Sequence, residues 1–374
     1  VIALKNTISI LVIFLMTSLI RAEYWSRIEL PFGECTVNDI SGYLDPLPVQ
    51  KDIWVATDKG LAFIHRKGID YWTDEVGLSK APILCVVPRP PLESGVVYFG
   101  TDGDGIWGWG ATESSKLKFL PENVVSKVNI IKNAVFGKYI LVIGYGKKDN
   151  PSNEIFLTID YSGGSTSDHT VSQNITKYPS EIIDITEDSR GWPIVLVKWY
   201  PPQKKPYTEI LLFYESEVFY TEKGEQTGTW NLYYDSILNI PGNLEARCLL
   251  NDNDKVFYIG TDKGIYKYSL SDKKMIPMPD CPITAGVNNL LKDSRGFIWA
   301  SSDNGLYIND GSVWWRMKEN AGFGLIKVRK VVENGIGDMY VIGDDNAVWE
   351  LKWNLYKKPR EDAMKVLGEI AERM

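Results

Sequence analysis

The tetrapeptide Thr-Asp-Lys-Gly occurs twice, in WVATDKGLAF at residues 54–63 and in YIGTDKGIYKY at residues 258–268, and each copy belongs to a longer repeat. Aligned on the aromatic residue ahead of the turn, IWVATDKGLAF, VYFGTDGDGIW, FYIGTDKGIYKY, IWASSDNGLYI and MYVIGDDNAVW form one series. Trp54 and Tyr98 are 44 residues apart, and the intervals from Tyr258 to Trp299 and from Trp299 to Tyr340 are both 41. Each unit reads as four short strands parted by polar turns. A period in the low forties with that content is the signature of a β-propeller blade.

The middle of the chain accommodates two further units with stretched connections between their second and third strands. One starts at Lys127 (KVNIIKNAVFGKYILVIGYGKKDNPSNEIFLTIDYSG) and one at Glu181 (EIIDITEDSRGWPIVLVKWYPPQKKPYTEILLFYES). This predicts seven units, with first strands near Val37, Ile83, Val128, Ile182, Ala246, Val287 and Val328. The last unit lacks a fourth strand, and EYWSRIELPFGECTVNDI near the N-terminus is similar to VWWRMKENAGFGLIKV, the fourth strand of unit six leading into unit seven. Tyr24-Trp25 is therefore expected to supply the missing strand and satisfy the open sheet edges. The expected fold is all-β: a seven-bladed β-propeller of four-stranded blades over residues 23–357, closed by the N-terminal strand. A short helical tail over 358–374 follows, where EDAMKVLGEIAERM has helical spacing and reads as a surface helix.

The recurring Asp and Lys invite reading as a recurring site, but turn chemistry explains them better. Gly60, Gly105, Gly264 and Gly305 stand where a tight hairpin needs positive φ, and Asn346 takes that place in the last unit. Similarly, EDSRGWP (187–193) and KDSRGFIW (292–299) share Asp-Ser-Arg-Gly, which reads as the turn between the first two strands. It is similar to the Asp box of sialidase-type propellers but lacks the flanking residues of that motif. The abundant Trp and Tyr read as packing between blades.

The first residues carry Lys5, an apolar run from Ile8 to Ile20, then Arg21-Ala22, the pattern of an export signal over 1–22. The run is shorter than the ~20 residues of a membrane span; an uncleaved anchor is the alternative and the only expected membrane attachment. The chain carries a net charge of −7 without a basic block, which argues against nucleic acid. Four cysteines (Cys35, Cys85, Cys248, Cys281) in an oxidising space are permitted, not required, to pair. They form no CxxC, and His65 and His169 are the only imidazoles, so neither metal nor cofactor is expected. Asn174-Ile175-Thr176 is a glycosylation sequon, meaningful only in a glycosylating host.

The stretch VNNLLKDSRGFIWASSDNGLYINDGSVWWRM (287–317) closely resembles the repeat of two-component-regulator propellers: apolar-x-x-apolar-x-x-Asp-x-x-Gly-x-apolar-Trp-apolar-x-Thr-x-x-Gly-Leu. Units one and five match well, two and seven in part, three and four by strand pattern only. The resemblance implies a periplasmic sensor-type propeller that binds oligosaccharide or a similar ligand and works with a signalling partner. This chain departs from the hybrid sensors in showing one ring and no kinase, and it is expected to be a free-standing propeller or a truncated gene.

Two function classes follow. The first is a non-catalytic module that binds a carbohydrate-like or protein ligand on its loop face. The stretched connections GYGKKDNPSN and WYPPQKKPYTE would place Tyr145, Lys147, Lys148, Trp199, Tyr200, Lys204, Lys205 and Tyr207 side by side. Aromatic faces suit sugar rings and lysines suit carboxylates, while solvated insertions without a role are the plain alternative. The second is a polysaccharide lyase or glycoside hydrolase. It would need a base or a carboxylate pair at defined spacing, and the Asp residues are mostly accounted for by turns. No His-plus-acid motif is present, so the expectation is a non-enzyme.

Overall fold

The computed structural model describes residues 24–42, 52–88, 97–109, 114–116, 123–133, 138–147, 150–160, 178, 180–215, 232–318, 323, 327–351 and 360–374. The expected export signal, His169, the sequon and Lys148 lie outside the described residues. Strand β1 (Trp25–Ile28) is followed by a first blade of β2 (Val37–Gly42), β3 (Ile53–Thr57), β4 (Leu61–His65) and β5 (Gly68–Trp72). A second comprises β6 (Ile83–Pro88), β7 (Val97–Thr101), β8 (Ile106–Trp109) and β9 (Ser114–Lys116). Next comes one seven-stranded sheet, β10 (Asn123–Asn133), β11 (Lys138–Lys147), β12 (Asn150–Asp160), β13 (Ser180–Glu187), β14 (Pro193–Trp199), β15 (Tyr207–Glu215) and β16 (Leu232–Ile240). The fourth blade is β17 (Ala246–Asn251), β18 (Val256–Thr261), β19 (Gly264–Ser269) and β20 (Lys274–Pro277). The fifth is β21 (Val287–Lys292), β22 (Ile298–Ser302), β23 (Gly305–Asn309) and β24 (Trp314–Met317). The closing blade joins β25 (Val328–Glu333), β26 (Met339–Gly343) and β27 (Val348–Leu351) to β1.

The described residues thus form six blades, not the seven expected from the repeat count. Units three and four merge because the stretch read as a loop, Gly144–Asn153, is mostly strand: β11 runs on to Lys147 and β12 resumes at Asn150. Lengthened in this way, β12 brings Asn153 opposite Ser180 of β13, and the backbone ladder continues from one unit into the next. Closure follows the likeness of the termini: β1 pairs antiparallel with β27, Trp25 facing Leu351.

The tail differs from a simple surface helix. Helix α1 (Arg360–Ile370) buries Ala363, Leu367 and Ile370, which pack with Trp25, Phe297 and Met317. Strand β28 (Ala371–Arg373) then adds a fifth strand to the fifth blade, Ala371 opposite Met317.

Apolar cores form where neighbouring blades face each other. One unites Trp299, Leu306 and Met317 of the fifth blade with Val331, Val341 and Leu351 of the closing blade. Another unites Trp54 and Leu61 of the first blade with Ile83 and Phe99 of the second. Burying one face against each neighbour is what makes the blades a single body.

The repeat's first strand recurs seven times, since the merged sheet carries two, and each copy has a bulge at the same place. The skipped residues are Asn38, Leu84, Ser126, Ile183, Arg247, Asn288 and Arg329. These strands touch in succession and β25 touches β2, so they close a ring around the axis. A bulge re-aims side chains, and here it aims them at the next strand of the ring. Asn38 Nδ2 donates to Ile83 O at 2.7 Å, Asn288 Nδ2 to Val328 O at 2.9 Å and Arg329 Nη2 to Val37 O at 2.6 Å. The residues after the bulge add Val86 N–H to Asp39 at 3.1 Å, Leu249 N–H to Asp184 at 2.8 Å and Val331 N–H to Asn289 at 3.1 Å. Cys85 and Cys248 thiols donate to Val125 O and Val287 O. All four cysteines are free thiols. Burial pushes the Cys85 thiol up to about 12, with Asp39 adding to the effect, so Cys85 is a structural donor rather than a nucleophile.

Candidate functional site

The Thr-Asp-Lys-Gly turns prove to be joinery. Thr57 Oγ1 donates to Gly60 O at 2.8 Å, Thr101 to Gly105 O at 2.7 Å, Thr261 to Gly264 O at 2.9 Å and Ser302 to Gly305 O at 2.8 Å. The Asp has a separate task. Asp58 Oδ1 accepts from Thr36 N–H at 2.8 Å and Asp262 Oδ1 from Glu245 N–H at 2.9 Å. Each thereby clips the turn to the residue ahead of its own blade's first strand. The Asp-Ser-Arg-Gly turns are equally structural: Asp293 accepts from the N–H groups of Arg295 and Phe297 and from Trp299 Nε1.

With those acids assigned, the irregular part of the same face stands out. A cleft of about 560 Å³ opens where β13–β15 meet the connection from β16 into β17. Its walls include Glu181, Lys198 and Tyr207 on the merged sheet, and Asn243, Glu245 and Arg247 on the other side. Glu181 and Lys198 are cross-strand partners between β13 and β14, so two opposite charges share one wall. Tyr200 O–H donates to Glu181 Oε2 at 2.6 Å, and Lys198 Nζ lies 5.6 Å from the centre of the Tyr200 ring. Burial, and after it the hydrogen bond to Glu181, push the Tyr200 phenol above the usual tyrosine range. Arg247 turns its guanidinium toward the fifth blade, 2.8 Å from Asp303 and 3.1 Å from Asn288.

The structure distributes the eight residues expected at the site unevenly. Tyr207 lines the cleft. Tyr200 stands beside it through Glu181, and Lys204 and Lys205 are exposed in the intervening loop. Trp199 is buried at 3 % exposure and donates its indole N–H to Glu209 at 2.8 Å, so its ring packs inward. Tyr145 and Lys147 are residues of β11, one sheet with Trp199 through the Asn153–Ser180–Trp199 ladder; only their backbone is described. Sequence reasoning passed over Glu181, Lys198, Asn243, Glu245 and Arg247. Glu181 and Lys198 become neighbours only through strand register, and Asn243 and Glu245 sit in a connection without any motif.

Among the described residues, no group of three or more His, Cys, Asp or Glu is placed to hold a metal ion. No described helix is long and apolar enough to cross a membrane. His65 lies on β4 of the first blade, where Asp70 faces it at 3.2 Å, and takes no part in the cleft.

No family model matches the chain, and no curated protein matches it. Among solved structures, the extracellular domain of the hybrid two-component system BT4673 from B. thetaiotaomicron is similar at 16% identity and a TM-score of 0.56, over 88% of this chain and 39% of that one. That of BT3049 from the same organism is similar at 14% identity and a TM-score of 0.57, over 88% and 41%. A catalytically inactive virginiamycin B lyase from Staphylococcus aureus, solved with quinupristin, aligns at 11% identity and a TM-score of 0.50, over 87% and 98%. The chain spans about two fifths of the length of the two sensor domains. At these identities the likeness is one of fold: this chain has the propeller arrangement that both signalling proteins and an enzyme use.

Proposed function

We propose that the protein is a non-catalytic, extracytoplasmic propeller of sensor type that recognises a carbohydrate-like ligand on its loop face. The cleft between the merged sheet and the fourth blade carries the proposal. It is large enough for one or two sugar residues and offers carboxylate, amide, phenol and ammonium groups within one wall-to-wall span. Glu181 and Lys198 suit hydroxyl groups as acceptor and donor, while Tyr207 supplies a ring. The fold shared with extracellular sensor domains supports the location and the class. A signalling partner belongs to the same proposal.

The lyase reading finds less support. Its base would have to be a phenol or imidazole whose pKa is lowered toward working pH, whereas Tyr200 is shifted the opposite way.

A glycan array and a thermal-shift screen against neutral and acidic oligosaccharides test the proposal with the exported chain. The expected outcome is a hit that Tyr207→Ala and Lys198→Ala weaken at least tenfold without lowering Tm. Binding unchanged in both variants would remove the cleft from consideration. Breakdown of a bound glycan would establish the enzyme reading, and no glycan hit with capture of a protein through the same residues would replace the ligand class.

A further inference from the structure

The ring of first strands holds a second feature, separate from the cleft. Of the seven residues that follow the bulges, six close a joint: Asp39, Cys85, Asp184, Cys248, Asn289 and Lys330 each bond to a neighbouring strand, Lys330 through Asp39 at 2.6 Å. Lys127 is the seventh. It makes no hydrogen bond or ion pair with the described residues, and the joint it would have closed is made by Asn129 Nδ2 to Ile185 O at 3.3 Å. Yet its ammonium reaches far enough into the channel to feel Asp184, Asp39, Cys85 and Cys248, which come from four other strands of the ring.

The two nearby carboxylates are already engaged. Asp39 holds Lys330 and Val86 N–H, and Asp184 holds the N–H groups of Leu249 and Ile185. Arg329, on the same ring, bonds among the described residues to carbonyl oxygens only, those of Gly343 and Val37. Counted over the fourteen residues at the seven bulges, four are cationic (Lys127, Arg247, Arg329, Lys330) and two are carboxylates (Asp39, Asp184). Arg247 is balanced by Asp303 on the fifth blade, so Lys127, Arg329 and Lys330 stand against Asp39 and Asp184 and leave an excess of one positive charge, in a chain whose net charge is −7. Burial disfavours the Lys127 charge, and the pull of Asp184 and Asp39 outweighs it, so the side chain stays an ammonium. An ammonium at this ring position with no contacting acceptor among the described residues is costly unless something else supplies one, and a concave site concentrates the field of its cations.

We propose that the channel is an anion site in which Lys127, backed by Arg329 and Lys330, holds a small oxyanion such as a carboxylate or sulfate. Three sodium salts serve as probes on the full chain at constant ionic strength, with chloride as the exchange partner. Acetate and sulfate enter the channel as free ions, and dextran sulfate carries the group on a larger body. Acetate or sulfate is expected to raise Tm along a saturating curve. Lys127→Met is expected to shift half-saturation at least tenfold, Lys127→Arg less than threefold and Lys204→Ala not at all. The same Lys127 dependence with dextran sulfate would identify the acidic group of a larger ligand; its absence would identify a free ion. A rise that does not saturate, or that is the same in wild type and Lys127→Met, overturns the proposal. Lys127→Gln, which keeps a polar head in the channel, provides the same comparison if the methionine variant does not fold. Sugar binding at the cleft is read with Tyr207→Ala, so failure of one site leaves the other intact.

Discussion

The fifth blade and the merged sheet are built from the same repeat and differ in how their strands end. In the fifth blade β21 to β24 are 6, 5, 5 and 4 residues long, and β22 stops where Ser302 caps the Gly305 turn. In the merged sheet β10, β11 and β12 are 11, 10 and 11 residues long. The sequence that follows β11, Lys148-Asp149-Asn150, carries neither a hydroxyl residue nor a glycine, and Asn153 pairs onward with Ser180. The longer strands carry the ladder from one unit into the next, whereas the fifth blade's short strands stay within their own sheet. The candidate cleft sits at the edge of the merged sheet, where regularity has been given up.

The regular blade should be the less forgiving of the two. Trp299 is fully buried, its indole N–H 2.9 Å from Asp293, and Trp299→Ala is expected to cost about 3–5 kcal/mol. Trp199, at the end of β14, should cost less on the same change. Urea unfolding of the two variants decides it, and equal losses would show that the merged sheet is packed as tightly as the repeat it departs from.

Turn geometry gives the next largest effect. Gly264 has φ 104°, and an added Cβ would lie 2.3 Å from Ile283 O. Gly264→Ala is therefore expected to lose about 1–3 kcal/mol from conformation and more from the clash. A loss below that range in chemical denaturation would mean that the turn relaxes and that the residue type there is incidental.

Asp310, in the fifth blade, offers a pH test. Its Oδ1 accepts from Ser312 N–H at 2.8 Å and Val313 N–H at 2.9 Å, and its Oδ2 from Trp315 Nε1 at 2.7 Å. Burial raises its pKa, but the bonds from Trp315 and the backbone prevail and hold it below the usual carboxylate value. A lowered value in the folded state means stability that is complete above the unfolded pKa of ~3.9 and lost as pH falls through the folded one. Asp310→Ala should cost about 1–3 kcal/mol at pH 7. Its deficit against wild type should shrink below about pH 4, as a pH series of urea midpoints would show.

What the sequence disclosed follows the same division. Blades whose turns carry Thr-Asp-Lys-Gly or its variants were legible because turn chemistry is local: one hydroxyl, one acid and one glycine dictate the backbone. The stretch GYGKKDNPSN has loop-like composition, and its residues up to Lys147 and from Asn150 are nevertheless strand because partners on both sides offer unpaired backbone. Pairing of that kind depends on what lies across the sheet, which local composition does not encode. The cleft was half visible for the same reason: Tyr207 and Tyr200 announce themselves as aromatics in a long connection. Glu181 and Lys198 are ordinary charges until β13 and β14 come into register.

The loop between β14 and β15 allows the smallest and most discriminating change. In the equivalent turns positive φ falls to Gly60, Gly105, Gly264 and Gly305 and, at φ 54°, to Asn346, a residue that tolerates it, but in this loop the less tolerant Gln203 adopts φ 65°. A non-glycine residue there holds roughly 1 kcal/mol of strain, which the Pro201 carbonyl bonded to Lys204 N–H and the β14–β15 ladder sustain. Gln203→Gly should therefore be neutral or stabilising by up to about 1 kcal/mol. Strain kept in a loop beside a cleft points to positioning, so the same change should weaken glycan binding severalfold while stability holds or rises. Measured together by urea unfolding and titration calorimetry, a gain in stability with unchanged binding would mark the loop as an insertion without a part in recognition. A gain with weaker binding would show that the merged sheet departs from the repeat in order to hold that loop in place.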